Sequence, residues 1–154
     1  MSERRTQTNE AARCAVLLPA LAIIPGPLAL IEVDAAAGLT LLVDYYNYNY
    51  RGDLLYGLDP DAPILSCEPT GPVPIPVRVP EVAWRAGLDL NPLDPSNPTD
   101  LEWLSCLTWP GEERRAERLR NCKNITVTKY LPLYASTHGE RPCSRAVQLH
   151  CLGS

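Results

Sequence analysis

The residues best placed to do chemistry lie in one stretch, Leu28 to Tyr50, LALIEVDAAAGLTLLVDYYNYNY. It reads as a buried strand ending in acidic residues, then a turn of small residues, then an apolar helix start. In α/β proteins a strand–turn–helix of this kind holds a nucleotide or a similar cofactor. Small residues let the backbone approach the ligand, and the helix N-terminus offers N–H donors to an anionic group. Glu32, Asp34, Gly38 and Thr40 are the candidate cofactor-binding residues. Arg85, Asp89, Asn91 and Asp94 form a second polar cluster and are the candidate pocket lining. The competing reading of that cluster is turn closure, because Asp and Asn side chains bond nearby backbone amides routinely.

Other chemistries are poorly served. There is no GxSxG, no HExxH and no P-loop, and the only histidines are His138 and His150. A Ser/His/Asp or Cys/His site is not expected. Six cysteines are scattered without a CxxC pair, so they are expected to be reduced and mostly buried. A disulfide framework is the alternative if the chain is secreted. Cys122, His138, Cys143, His150 and Cys151 are metal-ligand types, but their spacing matches no usual zinc pattern, and no metal site is expected.

Composition sets further bounds. A chain of 154 residues suits one modest core, and 16 prolines with no phenylalanine call for many turns and extended segments. A net charge of −4 offers no basic face to meet phosphates, so no nucleic-acid partner is expected. Cys14 to Ile31 carries no charge, but Pro19, Pro25, Gly26 and Pro27 break it into short pieces. Neither a membrane span nor a signal peptide is expected, which points to a cytoplasmic location. The sequon at Asn124 would matter only in a secreted chain. Charge is also uneven. Residues 1–120 hold ten Arg, no Lys and 17 acidic residues, whereas residues 121–154 hold two Arg, both Lys and a single Glu. A frameshifted, spliced or fused end would look like this, and so would a divergent terminus.

The elements that must position the candidate residues follow from pattern. Residues 1–8 are expected to be disordered. Thr8 or Asn9 can cap a helix to about Pro19, apolar nearly all round and so expected to be buried. Leu28 to Val33 suits a central parallel strand covered on both faces. Leu39 to Val43 is a helix start or a second strand segment. Tyr46, Tyr48 and Tyr50 share one side of a period-two segment, with rings on the core and hydroxyls in water. Val73 to Pro80 alternates with proline, so it is an edge strand or a polyproline segment. Glu81 to Ala86 is strand-like. Ser96, Asn97 or Thr99 caps a helix over about 100–108, and 112–120 reads as a charged surface helix. Beyond Asn121 the pattern fades, with Ile125 to Thr128 as a short strand.

EVDAAAGLTLLVDYYNYNY, VAWRAGLDLNPLDPSNPTD, LEWLSCLTWP and NEAARCAVLLPALA together resemble an uncharacterised, mainly bacterial family catalogued as a domain of unknown function. That family looks related to the S-adenosylmethionine-dependent methyltransferases. The resemblance covers about residues 9–120. It implies a partial Rossmann-like α/β sheet with flanking helices, truncated relative to the family, followed by an atypical tail over 121–154. It also implies S-adenosylmethionine as the cofactor, held by Glu32, Gly38 and nearby backbone, with Asp89 and Asp94 near the acceptor. In the family's Glu-x-Gly-x-Ser-Ala-Gly-Leu-Asn turn, Asp34 stands for the first glycine, Ala36 for serine and Thr40 for asparagine. A carboxylate at Asp34 would face the ligand's own carboxylate. The functional expectation is therefore a methyltransferase-like domain with an impaired cofactor site. The alternative is a non-catalytic interaction protein or a degenerate copy.

Overall fold

A computed structural model describes residues 10–109, 111–128 and 131–135. The expectations for residues 1–8, for the two histidines, and for Cys143 and Cys151 lie outside the described residues. The described residues are mixed α/β, with two small sheets and three α-helices around one core.

Helix α1 runs Arg13–Leu21 and contains Pro19 in its interior. It starts later than expected, and Ala12 precedes it without a side-chain cap. It is not buried all round. Cys14, Ala15, Leu18 and Pro19 face inward, while Val16 is 69% and Leu17 49% exposed. Strand β1, Leu28–Val33, follows the Pro-Gly-Pro turn. Leu39–Leu42 then closes as a single 3-10 turn, so it is neither an α-helix nor a strand.

The tyrosine row forms β2, Asn47–Tyr50, which pairs antiparallel with β3, Asp53–Leu55, and parallel with β4, Ile64–Cys67. All three inward tyrosines are buried, as expected. Their hydroxyls are not in water, however. Tyr46 donates to the Leu39 carbonyl at 2.8 Å, Tyr48 to Val43 and Tyr50 to Ala15 at 2.5 Å. Deep rings leave the hydroxyls no solvent, so they satisfy carbonyls of the elements packed above.

The second sheet carries the candidate site. Its order is β1, then β5 (Val82–Asp89), then β6 (Leu133–Ala135), all parallel. Strand β5 reaches further than the expected Glu81 to Ala86, because Leu88 and Asp89 pair with Tyr134 and Ala135. Helix α2, Pro98–Cys106, is capped by Asn97, whose side chain accepts the Thr99 amide at 3.0 Å. Helix α3 spans Glu113–Thr128, so Ile125 to Thr128 is helical rather than a strand. It also runs unbroken across the charge change near residue 121. Its inner face is no solvated surface: Leu119 and Cys122 belong to the core. Glu10 anchors its outer side through Arg115 at 3.0 Å and Arg118 at 3.1 Å.

Among the described residues β1 lies at the edge of this sheet rather than at its centre, and its Leu28, Leu30 and Glu32 side is the less exposed one. The steps from β1 to β5 and from β5 to β6 go in the same direction. Right-handed crossovers taken in one direction all pass over the same face of a parallel sheet. That face carries Glu32, Arg85, Gly87 and Asp89. The opposite face presents Ile31 at 65%, Val33 at 75%, Trp84 at 50% and Leu88 at 40% exposure, with Ala86 buried among them at 4%.

Candidate functional site

The loop after β1 lies over the covered face at the C-terminal ends of β1 and β5, which is where ligands bind in open α/β sheets. It makes a tight path through three left-handed residues, Asp34 (φ 64°), Ala36 (φ 49°) and Gly38 (φ 68°). Asp34 thus adopts the conformation that glycine takes without strain, and for an ordinary L-residue that region costs about 1–2 kcal/mol. Asp bears it better than Ala because its short polar side chain can bond locally.

The loop's hydrogen bonds run inward. Asp34 and Ala35 donate their amides to the Leu88 carbonyl at 2.8 and 3.2 Å. Ala36 donates to the Asp89 carboxylate at 2.6 Å, and Gly38 donates to the Ala35 carbonyl at 2.6 Å. The Ala36 carbonyl accepts from Leu93 at 3.0 Å. Ala35, Ala36 and Ala37 are buried. A Cβ on Gly38 would stand 2.3 Å from a methyl of Leu131 and 3.1 Å from one of Leu133. The close approach that glycine permits is therefore used by the chain's own later segment.

Glu32 and Thr40 are brought together, with the Thr40 hydroxyl donating to one Glu32 oxygen. The other oxygen, Oε2, is buried with no hydrogen-bond partner among the described residues. Burial raises the Glu32 pKa above the ordinary glutamate value, against the Thr40 bond and Arg13, which lower it. Asp34, by contrast, is exposed.

The second cluster does not assemble as one group. Asp89 accepts the Asn91 amide at 2.7 Å as well as that of Ala36. Asp94 accepts the Ser96 amide at 2.8 Å and its hydroxyl at 2.6 Å, and the Asp94 amide donates to Asp100. Asp89 and Asp94 thus close turns, with Asn91 exposed. Arg85 turns to a different partner. It grips Asp44 through two bonds of 2.7 and 2.6 Å, donates to the Leu41 carbonyl, and lies 5.1 Å from the Tyr45 ring. Asp44 is buried, and the bidentate guanidinium compensates its charge. Sequence reasoning passed over Asp44 and Leu131. A lone acid after the apolar run LTLLV is a legible hint of a buried partner. Nothing near Leu131 signals its role.

Among the described residues three surface hollows lie away from this loop, one of about 530 Å³ between Asn49, Arg51 and Glu68 and two others. The second, of about 480 Å³, sits between Asp44, Gly57 and Glu81, and the third, of about 320 Å³, between Ile23, Pro25 and Arg78. Among the described residues no group of His, Cys, Asp and Glu could hold a metal ion, and no helix is long and apolar enough to cross a membrane. Cys14, Cys67, Cys106 and Cys122 are free thiols. Cys14 and Cys122 are buried and Cys106 is exposed, so the expected burial holds for part of the set. Desolvation raises both buried thiols, Cys122 to about 11.

Residues 1–140 match the family described as "Uncharacterized protein conserved in bacteria (DUF2332)", and the chain belongs to it. The match extends past the charge change near residue 121 and beyond the stretch 9–120 that carries the resemblance in sequence. Neither the curated proteins nor the solved structures include a match.

Proposed function

We propose that this member of the family is a methyltransferase-like, Rossmann-type module that does not hold S-adenosylmethionine and works without catalysis. The reading rests on one observation above others. The amides of Asp34, Ala35, Ala36 and Gly38, which a cofactor's carboxylate would need, donate to Leu88, Asp89 and Ala35. Three further features support it. Leu131 and Leu133 fill the space in front of Gly38. The exposed Asp34 carboxylate would repel an anionic ligand group at that turn. Asp89, the acid at a strand end that could bind a ribose, is engaged by two backbone amides. The descent from methyltransferases is carried by the resemblance of the sequence and by a parallel sheet with its loop at the strand ends. Asp89 and Asp94 then act as turn supports rather than as acceptor-side residues.

Titration with S-adenosylmethionine and S-adenosylhomocysteine, followed by thermal shift and calorimetry, tests this. No rise in melting temperature at millimolar ligand is expected. A saturable rise would overturn the reading, since ligand binding to the folded state must raise the midpoint. Asp34→Gly alone is expected to leave binding absent, because it frees neither the amides nor the space filled by Leu131. Binding restored by that single change would show that the Asp34 carboxylate alone had closed the site.

A further inference from the structure

The hollow of about 480 Å³ beside Asp44 is framed by backbone hydrogen bonds on both sides. On one side the Leu58 amide donates to the Asp44 carbonyl at 2.8 Å. Gly57 lets these two segments touch, since a Cβ there would stand 2.6 Å from the same carbonyl oxygen. On the other side the Leu28 amide donates to the Glu81 carbonyl at 2.8 Å, which fixes the entry to β5. Val79 and Val82 pack against the core from that side. Pro80, between them, has no amide to satisfy. The walls therefore stand in place before any ligand arrives. The volume falls in the usual range for small-molecule sites, about 300–1,000 Å³.

The lining decides the ligand class. Tyr56 and Leu58, at 65% and 67% exposure, offer an aromatic ring and an isobutyl group to whatever enters, beside Val79 and Val82. Two carboxylate residues belong to the lining, and they differ. Asp44 is buried and held by two bonds from Arg85, so its charge is already compensated. Glu81 is exposed, and its side chain makes no hydrogen bond or ion pair with the described residues. No Lys, Arg or His among the described residues lines the hollow, so Glu81 sets its sign. An anionic guest would meet an uncompensated carboxylate, and a wholly polar guest would leave the apolar walls unused. The net charge of −4 on the whole chain biases approach in the same direction.

We infer that this hollow binds a small organic cation, with an apolar body against Tyr56, Leu58, Val79 and Val82 and an ammonium group at Glu81. The Tyr56 ring adds attraction for the same charge. The hollow lies apart from the loop after β1, so the inference goes beyond the reading of that loop and stands whether or not a cofactor binds there.

NMR titration of the isotope-labelled full chain tests it with three probes that share one body: phenylpropylamine, phenylpropanol and phenylpropionate. The amine should give saturable shifts at millimolar concentration in the amides of Gly57, Leu58, Val79, Glu81 and Val82. It should bind roughly three- to tenfold tighter than the alcohol, because one exposed ion pair and one ring contact are each modest. The carboxylate should bind more weakly than the alcohol. Raising the salt to about 1 M should shrink the amine's advantage. Glu81→Gln should erase that advantage and leave the alcohol's affinity as it was. Leu58→Ala should weaken amine and alcohol alike. Both positions are exposed, and circular dichroism checks that the variants fold. No saturable shift with the amine, equal binding of the three probes, or an advantage that survives Glu81→Gln overturns the proposal. So do shifts confined to residues outside the hollow.

Discussion

The Asp89 carboxylate accepts the Ala36 amide at 2.6 Å, joining residues 53 apart in sequence and fastening the end of β5 to the loop after β1. The same carboxylate closes the turn at Asn91. Removing it leaves two amides without their acceptor, one of them buried. Asp89→Ala should cost about 2–4 kcal/mol in urea denaturation, and Asp89→Asn less, because its carbonyl oxygen can still accept a hydrogen bond.

Gly38 and Leu131 should be energetically coupled. Gly38→Ala places a methyl against Leu131 at a left-handed position, with an expected loss of about 2–3 kcal/mol. Leu131→Ala in the same chain should recover part of that loss. A double-mutant cycle in chemical denaturation reads the coupling, and strict additivity would mean that the two residues do not meet.

The three tyrosine hydroxyls give a graded test of the core. Replacing Tyr46, Tyr48 or Tyr50 by Phe leaves a buried carbonyl of Leu39, Val43 or Ala15 without its donor. Each should lower stability by about 1–2 kcal/mol. Hydroxyls that were simply wetted by solvent would give changes near zero.

Glu32 sets a pH dependence. Its folded pKa is raised by burial above the ordinary 4.5, so its contribution to stability is full below that value and is lost as pH rises through the raised folded value. Glu32→Gln keeps the oxygen that accepts from Thr40 and cannot ionise. Urea midpoints of the two chains should diverge in favour of Gln with rising pH. A constant difference across pH would mean that Glu32 titrates normally.

Helix α3 crosses the charge change near residue 121 without a break. Cys122, Leu131 and Leu133 are core residues, and β6 is the third described strand of the sheet. Truncation after Arg120 should therefore abolish cooperative unfolding. Thiol labelling gives a companion reading: Cys106 should react at once, and Cys14 and Cys122 only at the rate of unfolding.

The sequence by itself determined the family and part of the local structure, but not the 3-10 turn at Leu39–Leu42 or the helix through Thr128. The strand at Leu28, the strained turn at Asp34, the Asn97 cap and the aspartate turns follow from side chains acting within a few residues of themselves. Such interactions leave short-range signatures in spacing and type. The tertiary structure decided what those pieces are used for. Winding in one direction put the covering elements among the described residues on one face of the sheet and β1 at the edge of its described strands. Chain path brought Leu131 onto Gly38, Asp89 onto Ala36 and Asp44 onto Arg85, and so spent the donors and the space that the turn would otherwise have offered to a ligand. These pairings join residues tens of positions apart, and no periodicity along the chain encodes them.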